Sequence, residues 1–216
     1  MGKIVNIPSK KEMQQALELR HTKQVQDCLT RARVAICGLG GLGSNIAIAL
    51  ARCGVGHLHL IDFDEVDLTN LNRQQYQIQS LGRPKTDALK EIISQIAPYA
   101  DVSTTYQKIT RQNVSELLKN ERYICEAFDV PEQKAMLTNA VLEKLPECYL
   151  VGASGMAGYA TGNTIQTRKI TSHYYLCGDG ESEITKQWGL MAPRVMICAG
   201  HQANTIIELI IEHGGN

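Results

Sequence analysis

No two cysteines in this chain form a C-x-x-C pair, so a structural zinc built from paired thiolates is not expected. The seven cysteines are an odd number, and Cys37, Cys125, Cys148 and Cys198 sit in apolar runs, where a free thiol behaves as a small hydrophobe. Reduced thiols in a cytoplasmic protein are the expectation. No apolar run approaches the roughly 20 residues that span a bilayer. Met1-Gly2-Lys3-Ile4-Val5-Asn6 leads into charged residues rather than a signal-peptide apolar core. Asn6 also stands where a myristoylation pattern needs Ser or Thr. Neither charge is in excess, with 22 Lys plus Arg against 22 Asp plus Glu. That balance disfavours a nucleic-acid coat or an anionic-membrane binder while allowing a local basic pocket. There is no internal repeat, low-complexity tract or linker, so the 216 residues read as one domain.

The most informative stretch is Gly38-Leu39-Gly40-Gly41-Leu42-Gly43. A β-branched run (Val34, Ala35, Ile36) feeds it, and an apolar helical pattern (Ile46 to Leu50) leaves it. In this setting Gly38 allows a tight turn, Gly40 lets backbone approach a phosphate, and Gly43 lets helix and strand pack closely. The free N–H groups at the helix start then favour an anion. A glycine turn that binds nothing is the bland alternative, but the flanking strand and helix are the context that a phosphate site requires.

The remaining pattern alternates. A helix is expected over about 9–29, with Ser9 and Glu12 matching a capping box. Gly54-Val55-Gly56 stops the helix after the glycine turn, and His57–Asp62 alternates as a second strand ending on an acid. Asp62 follows the turn at about the 20-residue spacing of a ribose-binding carboxylate. His57 and His59 are read as structural, by strand alternation. Pro84 suits a first helical position, and that helix runs to about Ala97 before Pro98. Further strands are expected at Val102–Tyr106, Tyr123–Asp129 and Tyr149–Ala153, with β-rich runs at Asn163–Ile170 and His173–Leu176. Helices are expected at Asn113–Leu118, Glu132–Leu145 and Val195–Glu212. Alternating strands and helices with a β-rich end predict a doubly wound α/β fold. Its mostly parallel sheet is extended by antiparallel strands, and a helix precedes it.

In such a sheet the ligand lies beyond the carboxyl ends of the strands. The glycine turn, Asp62 and Asp129 belong at that edge, and the following segments add Asn70, Arg73, Gln74 and Lys85. Two cations exceed what a dinucleotide pyrophosphate usually needs, whereas a triphosphate carries about four negative charges and its transfer uses Arg, Lys and Mg²⁺ clamps. Asp129 has the chemistry of an Mg²⁺ ligand. Taken singly, Arg73 and Lys85 read better as surface charges and Asp129 as a helix N-cap; together at one sheet edge they read better as a shared site.

Together, Gly38–Asn45, Asp62-Phe63-Asp64, Asn70-Leu71-Asn72-Arg73-Gln74, Gly82-Arg83-Pro84-Lys85 and Phe128-Asp129 resemble the ThiF/MoeB adenylyltransferases, relatives of the ubiquitin-activating enzymes. The resemblance runs from about Leu19 to Glu212. Through Ala153–Tyr159 and Gly189–Arg194 it is nearest the short thiamine-biosynthesis ThiF subfamily. It implies a Rossmann-like core over about 33–153, followed by a mixed-sheet end, a crossover loop and a last helix over about 154–216. It also implies ATP- and Mg²⁺-dependent adenylation of the C-terminal Gly-Gly carboxylate of a small ubiquitin-like sulfur carrier, by a homodimer. By resemblance, Asp62 holds the ribose, Asn70, Arg73 and Lys85 the phosphates, and Asp129 the Mg²⁺. Gly38, Gly40, Gly41, Gly43, Asp64 and Gln74 complete the cofactor set. Arg20 is the match for an arginine that reaches the partner subunit's ATP, with a surface arginine as its alternative.

The chain departs from many members of the family in lacking paired zinc cysteines, and Gly178–Ala192 contains no cysteine. Only Cys177 stands near, so the sulfur step is expected on another protein. The alternatives are a molybdopterin-type carrier, a tRNA base carboxylate, an NAD-dependent oxidoreductase and an inactive scaffold.

Overall fold

Val34, Ala35, Ile36 and Cys37 are all fully buried, as a strand must be when helices cover both sheet faces. They form β1 (Arg33–Cys37) in a computed structural model that describes residues 7–183, 185 and 189–214. The readings made on Met1–Asn6, on the middle of the crossover loop and on the last two residues lie outside the described residues.

Beside β1 stand β2 (His57–Asp62), β3 (Asp101–Tyr106), β4 (Tyr123–Glu126), β5 (Tyr149–Ala153), β6 (Gln166–Lys169) and β7 (Tyr174–Gly178). They make one seven-stranded sheet in the order β3-β2-β1-β4-β5-β7-β6. Every pairing is parallel except β6 with β7. The expected doubly wound fold is therefore present, with β6 as its antiparallel extension. Exposure follows strand position: β4 and β5 are buried throughout, while β6 is exposed throughout and carries Arg168 and Lys169. Charged side chains on an edge strand disfavour pairing with another chain.

The helices are α1 (Lys10–His21), α2 (Lys23–Arg31), α3 (Gly41–Arg52), α4 (Lys85–Ile96), α5 (Val114–Leu118), α6 (Pro131–Lys144) and α7 (Ala192–His213). Strand alternation divides the core in two. Val34, Ile36, Leu58 and Leu60 pack with Ile46 of α3 and Ile206 of α7. Ala35, Cys37, Ile61 and Ile124 pack with Val114 of α5 and Leu137 of α6.

Three expectations are corrected. The N-terminal helix is two helices, broken at Thr22, whose φ is 73°. Thr22 closes α1 with its N–H to Glu18 O and opens α2 by accepting from Val25 N–H. The break lets α2 bury Gln26, Cys28 and Leu29 while α1 buries nothing; apolar periodicity does not register such a change of direction. The Ser9–Glu12 capping box is present. Secondly, β4 stops at Glu126, and Asp129 lies beyond it in the turn before α6. Thirdly, Pro84 occupies the N-cap of α4 rather than its first helical position.

Candidate active site

The strand order reverses direction between β1 and β4, the switch point at which open α/β sheets bind ligands. A cavity of about 840 Å³ opens there, within the roughly 300–1,000 Å³ of small-molecule sites. Its lining includes Gly38, Gly40, Gly41, Asp62, Asp64, Asn70, Arg73, Gln74, Lys85 and Asp129. Gly43 and Arg20, also named from the sequence, do not line it.

Each glycine of the turn meets a different constraint. Gly38 has a φ of +92°, and a Cβ there would lie 2.9 Å from Ala127 O. A Cβ on Gly43 would fall 1.8 Å from Gly38 O, so this glycine sets the approach of α3 to β1. At Gly40 the nearest neighbour is Gln74 Nε2 at 3.8 Å, which leaves its backbone open to the cavity. No side chain caps α3, so its first-turn N–H groups remain available to an anion.

Asp62 is buried and faces the turn. Its Oδ2 accepts from Leu39 N–H at 2.5 Å, and its Oδ1 accepts from the Phe63 and Asp64 N–H groups at 2.7 and 2.8 Å. Burial pushes its carboxyl above the usual range, against the pull of Lys85 and these donors. Three of about four acceptor directions are thereby used. Asp64 is half-exposed and binds Lys85 Nζ through Oδ2 at 2.8 Å. Lys85 itself is buried, and one of its three donors is engaged.

The loop carrying Arg73 is tied to α3. Asn45 Nδ2 donates to Gly41 O at 2.6 Å and Arg73 O at 3.1 Å, and Ser44 Oγ accepts from Gln75 N–H at 3.2 Å. Arg73 Nη1 donates to Thr69 O and to Asn72 Oδ1. Arg73 Nε and Gln74 Oε1 are buried without a partner among the described residues. Buried polar atoms left open at a cavity wall are available to a bound ligand or to water.

The opposite wall holds residues to which sequence reasoning gave no role. Glu126, at the end of β4, is buried and paired with Lys134 of α6 at 2.9 Å. Burial pushes the Glu126 carboxyl up, against the pull of Lys134. Lys134 lines the cavity, but in sequence it is one polar residue of an expected surface helix. Asp129 is exposed and makes no hydrogen bond or ion pair with the described residues. One free carboxylate at the phosphate end fits Mg²⁺, which takes one or two carboxylates plus substrate oxygens and water. Cys177 is buried on β7 against Thr167 Oγ1, and burial raises its thiol pKa, so it presents no accessible nucleophile.

Fold and cavity together define a Rossmann-like protein with a cavity at its switch point. Residues 13–216 match the ThiF family, and the chain belongs to it, within the ThiF/MoeB-type adenylyltransferase superfamily. It is 28% identical to the molybdopterin-synthase adenylyltransferase of Salmonella typhimurium, over 91% of this chain and 83% of that protein. It is 33% identical to the tRNA threonylcarbamoyladenosine dehydratase of Bacillus subtilis, over 71% of this chain and 61% of that protein. Among curated relatives, the share of the relative's length that the chain spans runs from 27% to 83%. In fold it is similar to E. coli tRNA N6-threonylcarbamoyladenosine dehydratase in complex with ATP, with a TM-score of 0.85 at 21% identity, covering 96% of this chain and 98% of that one.

Proposed function

We propose that this protein adenylates the C-terminal Gly-Gly carboxylate of a small ubiquitin-like sulfur carrier with ATP and Mg²⁺, releasing pyrophosphate. The observation that carries the reading is the convergence of an uncapped glycine-lined helix start, Arg73, Lys85 and Asp129 on one cavity. A terminal carboxylate has a pKa near 3.3–3.7, so it is already the nucleophile at neutral pH and needs no general base. Its oxygen attacks the α-phosphorus, the bond from that phosphorus to the bridging oxygen breaks, and the electron pair leaves with pyrophosphate. The products are an acyl-adenylate and pyrophosphate.

What the protein supplies is placement and charge. Asn70, Arg73, Lys85 and the first-turn N–H groups of α3 hold the phosphates, and Gln74 and Gly41 complete that wall. The remaining acceptor direction of Asp62 and the exposed oxygen of Asp64 take the ribose hydroxyls. Asp129 would hold the metal, which when bound would neutralise charge on the phosphates. Arg20 lies on α1, which buries none of its residues and exposes Leu19. A second protomer covering that helix is the arrangement that would bring Arg20 to a neighbour's nucleotide.

A thiamine-pathway carrier is the substrate favoured by the sequence motifs. Adenylation of a tRNA base carboxylate is a second reading, supported by the identity to the dehydratase and given less weight by the even charge balance. The deciding measurement is Mg²⁺-dependent pyrophosphate–ATP exchange with carriers ending in Gly-Gly, followed by mass spectrometry for the acyl-adenylate. Exchange is expected with such a carrier and not with its des-Gly form. Exchange driven by modified tRNA instead would replace the carrier reading with the second one.

A further inference from the structure

Lys134 and Asp129 both line the cavity, as a phosphate-binding cation and a metal-binding acid would, yet the charge of Lys134 is already paired and its Nζ is tied to backbone. Its Nζ contacts Glu126 Oε1 and Oε2, each at 2.9 Å, and Phe128 O at 3.0 Å. Two of the three N–H groups of the ammonium are thus in hydrogen bonds, and its charge is met by both oxygens of the Glu126 carboxylate. Glu126 Oε1 in turn accepts from Phe128 N–H at 2.8 Å. Both polar groups of the Phe128 backbone are thus held, the N–H by Glu126 and the C=O by Lys134. The residue that follows is Asp129, whose own carboxylate is unheld among the described residues. Upstream the chain is equally fixed: Ala127 N–H donates to Cys37 O, and Gln202 Nε2, buried on α7, donates to Glu126 O and Val151 O. The last of these tethers, at Phe128, end one residue short of the acid.

We propose that the Lys134–Glu126 pair is a positioning device that presents Asp129 to the metal of a metal–nucleotide complex, and that Lys134 is not itself a phosphate ligand. This rests on the proposed role of Asp129 as the metal-bearing acid. Without the pair, the turn from Ala127 to Val130 keeps its sheet-side bonds but loses both ends of the Phe128 clamp. Loss of a group that orients a metal ligand lowers metal affinity by about 10- to 100-fold.

The test is calorimetric titration of ATP into the full-length protein, with Mg²⁺ and again with EDTA, so that turnover is not the readout. The variants are Lys134→Met, Lys134→Arg, Asp129→Asn and the double variant Glu126→Gln/Lys134→Met. The double variant removes both charges together and guards against a single variant that fails to fold. For the wild type, Mg²⁺ is expected to tighten ATP binding. Asp129→Asn should abolish that tightening, and Lys134→Met and the double variant should reduce it by about 10-fold or more. Lys134→Arg should restore most of it, while affinity in EDTA stays unchanged throughout. Equal weakening with and without Mg²⁺ in the Lys134 variants would overturn the proposal, because it would make Lys134 a direct phosphate cation. An unchanged Mg²⁺ effect in those variants would also overturn it. If Asp129→Asn keeps the Mg²⁺ effect, the metal role of Asp129 fails, and the positioning proposal falls with it.

Discussion

Two lysine–carboxylate pairs face each other across the cavity and behave in opposite ways. Lys85 and Asp64 are joined by a single contact, Asp64 is half-exposed, and Lys85 keeps donors in reserve. Lys134 lies within ion-pair distance of both Glu126 carboxylate oxygens, Glu126 is almost fully buried, and Lys134 also donates to the Phe128 carbonyl. The β1–β2 side of the site is therefore rich in uncommitted polar groups, among them Arg73 Nε and Gln74 Oε1. On the β4–β5 side both charges of the pair are met, and the orphaned atom there is Gln202 Oε1, among the described residues. Lining a cavity does not make a charged residue a ligand; what matters is which of its hydrogen-bonding directions are still free.

Breaking each side should fail differently, and the largest effect belongs to the buried Lys134–Glu126 pair. Removing one partner of a buried ion pair costs about 3–5 kcal/mol, because it strands the other charge. Lys134→Met should lose stability on that scale in urea unfolding, with Glu126→Gln/Lys134→Met recovering most of it. Equal stability in the single variant and the wild type would show that the network is not closed. Next comes Arg73→Ala, for which loss of a preorganised donor should lower pyrophosphate exchange by about 10²–10³-fold while the unfolding midpoint barely moves. A matched loss of stability and exchange would mean that Arg73 is structural after all. Gly43→Ala probes the seam between helix and strand. Its new Cβ meets backbone rather than a movable side chain, so a destabilisation of about 1–3 kcal/mol and weaker ATP binding are expected together.

The sequence told more about the open side than about the closed one, for a physical reason. Glycine spacing, the acid ending β2 and the cations after it are local patterns whose meaning depends on near neighbours along the chain. That is why the doubly wound fold can be read from the sequence, and why ten of the twelve site residues named from it line the cavity. Glu126, Lys134 and Gln202 come from β4, α6 and α7, and their roles exist only once those elements are packed. A strand drawn from Tyr123 to Asp129 puts Glu126 in its middle, whereas β4 ends on Glu126. The break at Thr22 was hidden because a capping threonine and a mid-helix threonine look alike in sequence. Asp62 illustrates a partial reading: its place at the strand end was clear, but its bond to Leu39 N–H, which shapes the glycine turn, was not.

The last comparison lies within the closed side and concerns acid. Glu126 and Asp179 are both carboxylates paired with a cation, but their pKa values move in opposite directions. Burial dominates at Glu126 and raises it. At Asp179 burial also pushes upward, but it is outweighed by the Ser182 and Glu181 N–H groups, the Ser182 hydroxyl and Arg194, and the carboxyl ends below its ordinary value. Arg194 in turn donates to Ala157, Ala160 and Thr161 carbonyls, so the pair ties the start of the crossover segment to the cavity wall. A carboxyl whose pKa is depressed by folding binds its proton more readily in the unfolded chain. Its stabilisation is therefore full above the ordinary value of 3.8 and is lost as pH falls through the lower native value. Urea midpoints of wild type and Asp179→Asn should differ by a constant amount near neutrality and converge below that pH. This is the smallest of the four effects, since a single group contributes about 1.4 kcal/mol for each unit of pKa shift. A gap that widens on acidification would mean that burial, not hydrogen bonding, governs Asp179, and would make the two carboxylates alike.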